Sequence, residues 1–286
     1  MKISYNWLQR HIEEKLPGAE ELKEKIIFHA FEVESFDTLR TGSEEDAIFD
    51  VKVLPDRAHD CLSHRGIAKE LAGLLGLTLK TFDLPSLPTT PLSTKVEIQS
   101  DLVRRYMAIE MSEIKVGPSP AWLKDALESI GARSINNIVD ATNLVLFDDG
   151  QPVHAYDADK IDGGIVVRLA HENEQITTLS KEEKKVATED LLIADYLGPL
   201  AIAGVKGGVS AEITTDTKRI IIEVANFEPT AIRKTSRKLG LVTDASKRFE
   251  NELTPDIAYA AAQHVVSIIE KVAGGKVVGV SDFYPK

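Results

Sequence analysis

Residues Ile220-Ile-Ile-Glu-Val-Ala-Asn-Phe227 form an almost wholly apolar run that contains one carboxylate, Glu223. The run predicts a buried strand, in which Glu223 shares a face with Ile221 and Ala225. Burying a carboxylate without a partner is energetically expensive. Glu223 therefore needs either a structural arginine or a ligand, and these residues by themselves leave both readings open.

Further strand and helix patterns surround this run. Strands are predicted over residues 105–114, 164–169, 174–179 and 219–224, and helices over residues 120–130 and 257–272. In the last helix, Thr254 is expected to cap the first turn and Gly274 to end the helix. The mixture predicts an α+β domain of about 200 residues.

The first part of the chain predicts a smaller unit. Its strands are expected over residues 1–4 and 47–54, and its helices over residues 6–11, 19–30 and 64–75, with Ser63 as cap and Gly76 as stop. Residues 84–95 contain three prolines and several hydroxyl side chains, which indicates a linker. The predicted fold class is α+β, with a small N-terminal α/β domain over residues 1–84 and a larger mixed α+β domain over residues 85–286.

The composition limits the classes of function. The chain has 286 residues and a formal net charge of −11, which argues against a general polyanion binder with a basic surface. Any contact with RNA must then be local or supplied by a partner. Cys61 is the single cysteine, so an internal disulfide is excluded and a reducing, cytoplasmic compartment is expected.

Two segments carry candidate site residues. His154 lies two residues after Pro152, in a turn that leaves a helix, and a histidine fixed in this way suits acid–base work or a structural role. Gly204, Gly207 and Gly208 allow the backbone to approach another group closely. The order of lysine and glycine in this segment is not that of a P-loop, which leaves a tight turn lining a pocket as the better interpretation.

A third segment, residues 133–143, places several polar side chains among apolar neighbours; they are Asn136, Asn137, Thr142 and Asn143. Buried polar groups need hydrogen-bond partners, so these side chains are predicted either as caps and internal hydrogen bonds or as parts of a site. The scattered histidines indicate no metal site, and the serine hydrolase motif Gly-x-Ser-x-Gly is absent.

Five motifs follow one another along the chain. They are Leu54-Pro-Asp-Arg-Ala-His-Asp-Cys, Asn136-Asn-Ile-Val-Asp-Ala-Thr-Asn, Gly150-Gln-Pro-Val-His-Ala-Tyr-Asp, Ala203-Gly-Val-Lys-Gly-Gly and Thr243-Asp-Ala-Ser-Lys-Arg-Phe-Glu. In this order and spacing they resemble the N-terminal part of the beta subunit of bacterial phenylalanine–tRNA synthetase. The resemblance implies that residues 85–286 are a tRNA-editing domain, which hydrolyses tyrosine wrongly esterified to phenylalanine tRNA.

The resemblance also implies site residues. The expected catalytic set is Arg133, Thr142, Asn143 and His154, and the expected set around the amino-acid side chain is Gly204, Gly207, Glu223, Thr243 and Ala245, with no metal. Glu223 would accept the tyrosine hydroxyl, whereas phenylalanine would leave this carboxylate unpaired. Ala245 would keep room for the ring. His154 would be the general base or, as an equal rival, would hold the tRNA end while other groups orient the water.

The implied partners are the 3′ end of phenylalanine tRNA, the tyrosine moiety in the editing pocket and the synthetase alpha subunit. No cofactor is implied for this chain, because ATP and magnesium belong to aminoacylation by the alpha subunit. The oligonucleotide-binding barrel usual in this family has no room between Leu39 and Ala47. Two alternatives remain: a non-catalytic docking part with an inert pocket, and a stand-alone protein that binds RNA or an amino acid.

A group of cations near the C-terminal third offers a possible contact with the tRNA backbone. Its members are Lys234, Arg237 and Lys238 on a predicted helix, with Lys247 and Arg248 just beyond. The same pattern is more often typical of a solvated helix face, which is the preferred interpretation.

Overall fold

The computed structural model describes residues 1–41 and 44–285. Its helices and mixed sheets confirm the predicted α+β class. Among the described residues, no helix combines the length and the apolar character needed to cross a membrane.

The N-terminal region is built on a three-stranded antiparallel sheet. Its strands are β1 (Lys2–Ser4), β2 (Glu32–Thr41) and β3 (Glu44–Lys52), in the order β1-β3-β2. Its helices are α1 (Tyr5–His11), α2 (Ala19–His29), α3 (Ala58–Cys61) and α4 (His64–Leu75). Sheet and helices share one apolar core, in which Ile3, Phe49 and Leu71 are buried.

The ends of α4 confirm the sequence prediction, whereas β2 is an element that the sequence prediction lacks. The Ser63 hydroxyl accepts the amide of Gly66 at 2.9 Å, and Gly76 ends the helix with a φ of 65°. In β2 the pairing register shifts between Val33 and Ser35. Such a bulge interrupts the alternation of side chains on which a strand prediction depends.

The larger region contains, in chain order, β4 (Val96–Ile98), β5 (Val103–Ser112), α5 (Ala121–Ser129), α6 (Asn137–Asp148), β6 (Val153–Asp157), β7 (Ile165–Leu169), β8 (Gln175–Thr177), β9 (Glu183–Lys185), β10 (Leu191–Ala194), β11 (Pro199–Ile202), β12 (Lys206–Gly207), β13 (Ile220–Phe227), α7 (Pro229–Leu239), α8 (Asp244–Phe249), α9 (Ile257–Ala273) and β14 (Lys276–Phe283). Every strand and helix predicted for this region is present, with its ends shifted by a few residues. The helix expected over residues 257–272 matches α9 within one residue.

Two sheets enclose the second apolar core. The first is antiparallel with the order β14-β5-β13-β6, and the second has the order β12-β11-β10-β7-β4, in which β4 and β7 run parallel. Ile221 and Ala225 of β13 pack with Ile193 and Leu200 of the second sheet. The opposite face of β13, which carries Ile222, packs against the core formed with α5, α6 and α9. Glu223 therefore points into the layer between the sheets.

The start of α9 corrects one prediction. Asp256 is the N-cap residue of the helix and forms no side-chain cap. The Thr254 hydroxyl only accepts a long hydrogen bond of 3.4 Å from the Asp256 amide, so the predicted capping role of Thr254 is wrong. Gly274 ends the helix as expected.

Residues 84–95 have neither helix nor extended strand but lie against the larger region. Leu87 is buried, and Pro91 forms an isolated bridge with Val280 of β14. The segment is thus a packed connection. The domain limits 1–84 and 85–286 stay predictions.

Direct contacts join the two regions. The His64 Nδ1 atom bonds the Phe147 carbonyl at 2.9 Å, and the Arg248 Nε–H donates to the Leu62 carbonyl at 3.0 Å. Arg248 is only 1% exposed, so the predicted contact of this residue with the tRNA backbone is wrong. A guanidinium that is closed off in this way has no access to a phosphate.

The other cations of that predicted group lie at the surface. Lys238 contacts Asp190 at 2.7 Å, and Arg237 contacts Glu250 at 3.2 Å. Lys234 and Lys247 are exposed. A contact of these four residues with tRNA stays a prediction.

Candidate active site

A small pocket opens between the two sheets of the larger region and has a cavity volume of about 90 Å³. The polar residues of its wall are His154, Tyr156, Lys206 and Glu223, and the remainder is apolar or glycine. An engineered cavity of about 150 Å³ holds a benzene ring. The pocket is therefore smaller than a cavity that holds a whole aromatic ring.

The carboxylate of Glu223 is the central polar group of the pocket wall. Its Oε2 atom accepts a hydrogen bond of 2.6 Å from the Tyr156 hydroxyl and one of 3.2 Å from the Tyr106 hydroxyl. Its Oε1 atom forms no hydrogen bond with any residue that the structure describes. The expected face of Glu223 is confirmed, but its partners are two tyrosines and no arginine. The expectation that phenylalanine would leave the carboxylate wholly unpaired is therefore wrong.

The register of three strands brings these groups together. Opposite Glu223 of β13 lie Ala108 of β5 and His154 of β6. Tyr106 precedes Ala108 by two residues and Tyr156 follows His154 by two, so both tyrosines lie on the same face as Glu223 and diagonal to it. A carboxylate at this position has one tyrosine on each side.

Burial dominates the electrostatics of this carboxylate. It raises the pKa of Glu223 from 4.5 to about 7, while the tyrosine hydrogen bonds act in the opposite direction. Burial and the neighbouring carboxylate raise the pKa of Tyr106 and of Tyr156 well above the usual value of 10.0. Both tyrosines thus keep their protons and remain donors at neutral pH.

His154 lies beside Glu223, and its ring meets the Tyr156 ring edge to face with centroids 4.5 Å apart. The ring is partly accessible from the pocket, although burial lowers the pKa of His154 from 6.5 to about 4. The imidazole is therefore neutral at pH 7, with one ring nitrogen free to accept a proton. No other described residue forms a hydrogen bond with the ring.

Two glycines shape the opposite wall. A Cβ atom at Gly207 would lie 2.6 Å from the His154 Cε1 atom, so a side chain there would displace the imidazole. Gly204 has a φ of 66°, which favours glycine, and a Cβ atom would approach Phe249 and Ile232 at 3.0 Å. Both glycines line the pocket.

Helix α8 closes one side of the pocket. Ala245 and Phe249 of this helix belong to the wall. Thr243 is outside the wall and forms a capping box at the start of α8 with Ser246. Its hydroxyl also donates to the Val205 carbonyl at 2.9 Å, which ties the helix to the glycine loop.

The structure groups five of the predicted site residues and separates the others from them. One pocket is lined by His154, Gly204, Gly207, Glu223 and Ala245. Arg133 is exposed before α6, Thr142 donates to the Val139 carbonyl within α6, and Asn143 is half-buried on that helix. None of these three lines the pocket, and their catalytic role stays a prediction.

The first part of the 133–143 segment has a structural role. The Asn136 side chain caps α6 by accepting the amides of Ile138 and Val139. The Asn137 amide group donates to the carbonyls of Lys115 and Val272. The interpretation as caps and internal hydrogen bonds therefore holds for these two asparagines.

Potential metal ligands lie elsewhere in the described chain. Asp148, Asp149 and His264 bring their ligand atoms within 4.8 Å of one another. Asp148 already accepts hydrogen bonds from Trp7 and His11, and Asp149 bonds with His264. This group lies outside the pocket.

Comparisons with known proteins agree on one family. The family described as B3/4 domain matches residues 102–274. The chain is 45% identical over 249 residues to the phenylalanine–tRNA ligase beta subunit of Geobacter metallireducens, and equally identical to that of Carboxydothermus hydrogenoformans. Each match covers 85% of this chain and 31% of the relative, so the chain spans about a third of the length of these relatives.

A solved structure is also similar. It is an N-terminal fragment of the phenylalanyl-tRNA synthetase beta subunit from Pyrococcus horikoshii, with a TM-score of 0.46 and 17% sequence identity. The match covers 97% of this chain and 74% of that fragment. The similarity of sequence to the bacterial beta subunits confirms the resemblance inferred from the five motifs.

Proposed function

Because the chain belongs to the B3/4 domain family and is similar to phenylalanine–tRNA ligase beta subunits, we propose that it hydrolyses tyrosyl-tRNA(Phe) as the editing part of such a ligase. The observation that carries the proposal is a buried carboxylate, Glu223, in a small pocket beside the neutral imidazole of His154. In this proposal the first group selects a hydroxyl, and the second acts on the ester.

Selection by Glu223 rests on its free oxygen. A synthetic site built for phenylalanine rejects an analogue with one added hydroxyl by only about a hundredfold. A second pocket with an unsatisfied acceptor selects in the opposite direction. Phenylalanine in this pocket would bury Glu223 Oε1 without a hydrogen bond, which costs roughly 1–3 kcal/mol. Tyrosine would supply that hydrogen bond.

The chemistry is the hydrolysis of an activated ester. Such a reaction needs a positioned water and a polarised carbonyl more than a strong nucleophile. A pKa of about 4 makes His154 a weak base that is available in its neutral form throughout the physiological range. His154 either accepts the proton of the attacking water or holds the 3′ end of the tRNA. Arg133, Thr142 and Asn143 would then act on parts of the substrate outside the pocket.

The remaining assignments follow from the proposed reaction. The tRNA(Phe) 3′ end and the tyrosine moiety are the substrate, and the synthetase alpha subunit is the partner. Hydrolysis at this pocket requires no cofactor, because ATP and magnesium serve aminoacylation by the alpha subunit. A chain of this function would work in the cytoplasm.

One alternative function is a docking part with an inert pocket. It predicts that Glu223 and His154 serve only packing. The Oε1 atom of Glu223 weighs against it, because this atom forms no hydrogen bond with a described residue and belongs to the wall of an open pocket, where an occupant can reach it.

Deacylation rates test the proposal. Tyrosyl-tRNA(Phe) and phenylalanyl-tRNA(Phe) are incubated with the chain and with its Glu223→Ala variant. We expect faster release of tyrosine than of phenylalanine, and loss of that preference in the variant. Glu172→Ala is the matched control, since Glu172 is exposed and outside the pocket. Equal rates on both esters would refute the selective pocket, and rates no higher than in buffer would favour the docking part.

A further inference from the structure

Two buried tyrosines hold the carboxylate that the proposed function uses. Tyr106 and Tyr156 are at most 1% exposed, and their hydroxyls donate to the same oxygen, Oε2 of Glu223. We propose that Tyr106 and Tyr156 are positioning residues that set the selectivity of the pocket by occupying Oε2 and reserving Oε1 as the single acceptor for a phenolic hydroxyl. The inference rests on the proposed function, because it takes the occupant to be a tyrosine side chain.

The geometry fixes the carboxylate from two sides. Tyr106 is on β5 and Tyr156 on β6, and these strands flank β13. A glutamate without such partners turns about its terminal torsion, for which the preference is broad, and its two oxygens are then interchangeable acceptors. Two donors on one oxygen remove that equivalence. The position at which the pocket accepts a hydroxyl is therefore defined by the tyrosines.

Tyr156 also connects the carboxylate to the proposed reacting end of the pocket. Its ring packs edge to face on His154, with an interplanar angle of 77°. On the other side, the absence of a side chain at Gly207 leaves the space that the imidazole occupies, since a Cβ atom there would lie 2.6 Å from its Cε1 atom. Tyr156 thus fixes the carboxylate of Glu223 with its hydroxyl and packs against the imidazole of His154 with its ring.

The tyrosines also influence the charge of the carboxylate. Their hydrogen bonds favour the ionised form against the effect of burial, so removal of either donor raises the pKa of Glu223 above its present value of about 7. The other titratable groups that face this carboxylate are His154 across the strand pair and Lys206 at the pocket wall. A protonated carboxyl presents an O–H donor as well as an acceptor and discriminates less sharply between the two esters.

The test uses conservative variants that remove only a hydroxyl. We compare the wild type with Tyr156→Phe and Tyr106→Phe, and with Tyr5→Phe as the matched control, since the Tyr5 hydroxyl bonds the Leu16 carbonyl in the N-terminal region. The measured quantity is the ratio of kcat/KM for tyrosyl-tRNA(Phe) to kcat/KM for phenylalanyl-tRNA(Phe) between pH 6 and pH 9.

The expected ratio of the wild type rises as Glu223 ionises around pH 7. Tyr156→Phe is expected to lower the ratio at pH 7 about tenfold and to move its midpoint to higher pH, because a lost hydrogen bond to a charged group has about that effect. Tyr106→Phe should act in the same direction but less, since its hydrogen bond is longer. Tyr5→Phe should leave both ratio and midpoint unchanged.

The outcomes separate this inference from the proposed function. A selective wild type whose ratio and midpoint are unchanged in both pocket variants would overturn the role of the tyrosines alone. A wild type without preference would overturn the proposed function. In that case calorimetry with L-tyrosinamide and L-phenylalaninamide tests the tyrosines independently: tighter binding of L-tyrosinamide that weakens in Tyr156→Phe supports their role, and equal binding of both amides overturns it.

Discussion

The buried carboxylate of Glu223 predicts an unusual dependence of stability on pH. Its pKa is 4.5 when exposed and about 7 in the fold. The folded state therefore binds a proton more readily than the unfolded state, and ionisation of Glu223 destabilises the fold as the pH rises from 4.5 to 7. Each pKa unit corresponds to about 1.4 kcal/mol, so the destabilisation above pH 7 is about 3 kcal/mol.

The perturbation that reveals this effect is Glu223→Gln, which keeps the shape and removes the charge. Urea unfolding, followed by circular dichroism at constant ionic strength from about pH 4.5 to pH 8.5, gives the free energy of unfolding for both proteins. We expect the difference, variant minus wild type, to increase by about 3 kcal/mol between the acid and alkaline ends of this range. Other ionisable groups are common to both proteins and cancel in the difference.

A second glutamate provides a control of opposite sign. The Arg168 guanidinium, which bonds Glu174 through two hydrogen bonds, lowers the pKa of that carboxyl. Glu174→Gln should therefore be less stable than the wild type at neutral pH, and this deficit should shrink as the pH falls through the carboxyl range. A Glu223→Gln difference that stays flat across the pH range, while the control behaves as described, would refute the burial of an ionisable Glu223.

Three further predictions concern the pocket. Gly207→Ala places a methyl group 2.6 Å from the His154 ring, so kcat/KM for tyrosyl-tRNA(Phe) should fall about tenfold or more. The control Gly73→Ala, which has open space around the new methyl group, should leave kcat/KM unchanged. Equal kcat/KM for the two variants would contradict the close contact. His154→Ala should lower single-turnover deacylation by about a hundredfold if the imidazole is the general base, and near-normal turnover would eliminate that role. Thr243→Ala removes the cap of α8 and the bond to Val205, so thermal unfolding should show a loss of about 1 kcal/mol; an unchanged midpoint would show that the cap is dispensable.

The sequence predicts the strand and the face that carries Glu223, because an apolar run with period-two geometry determines which side chains share a face. It also predicts five members of the pocket wall through the motifs. Tyr156 was missed because the sequence analysis places His154 in a turn, whereas the structure places both residues on strand β6, where side chains two positions apart share a face. The sequence does not predict that Tyr106 lies beside Glu223. That position depends on the pairing of β5 with β13, two strands that are more than a hundred residues apart in the chain.

Other failures have the same origin. Arg248 belongs to a polar run and has the pattern of a surface residue, but the N-terminal region covers it. Such burial arises from contacts between distant parts of the chain, which local periodicity does not encode. The prediction of Thr254 as a helix cap was wrong for a local reason, because the N-cap residue of α9 is Asp256, two residues later.

Helix α8 has a consequence for how the two regions depend on each other. One side of this short helix supplies Ala245 to the pocket, and the other side supplies Arg248, whose guanidinium ends on the Leu62 carbonyl of the N-terminal region. Among the described residues, none before position 152 lines the pocket, yet a cut near residue 84 would expose this arginine and remove the hydrogen bond that connects α8 to the N-terminal region. The shape of the pocket is thus maintained partly by a region that never meets its occupant.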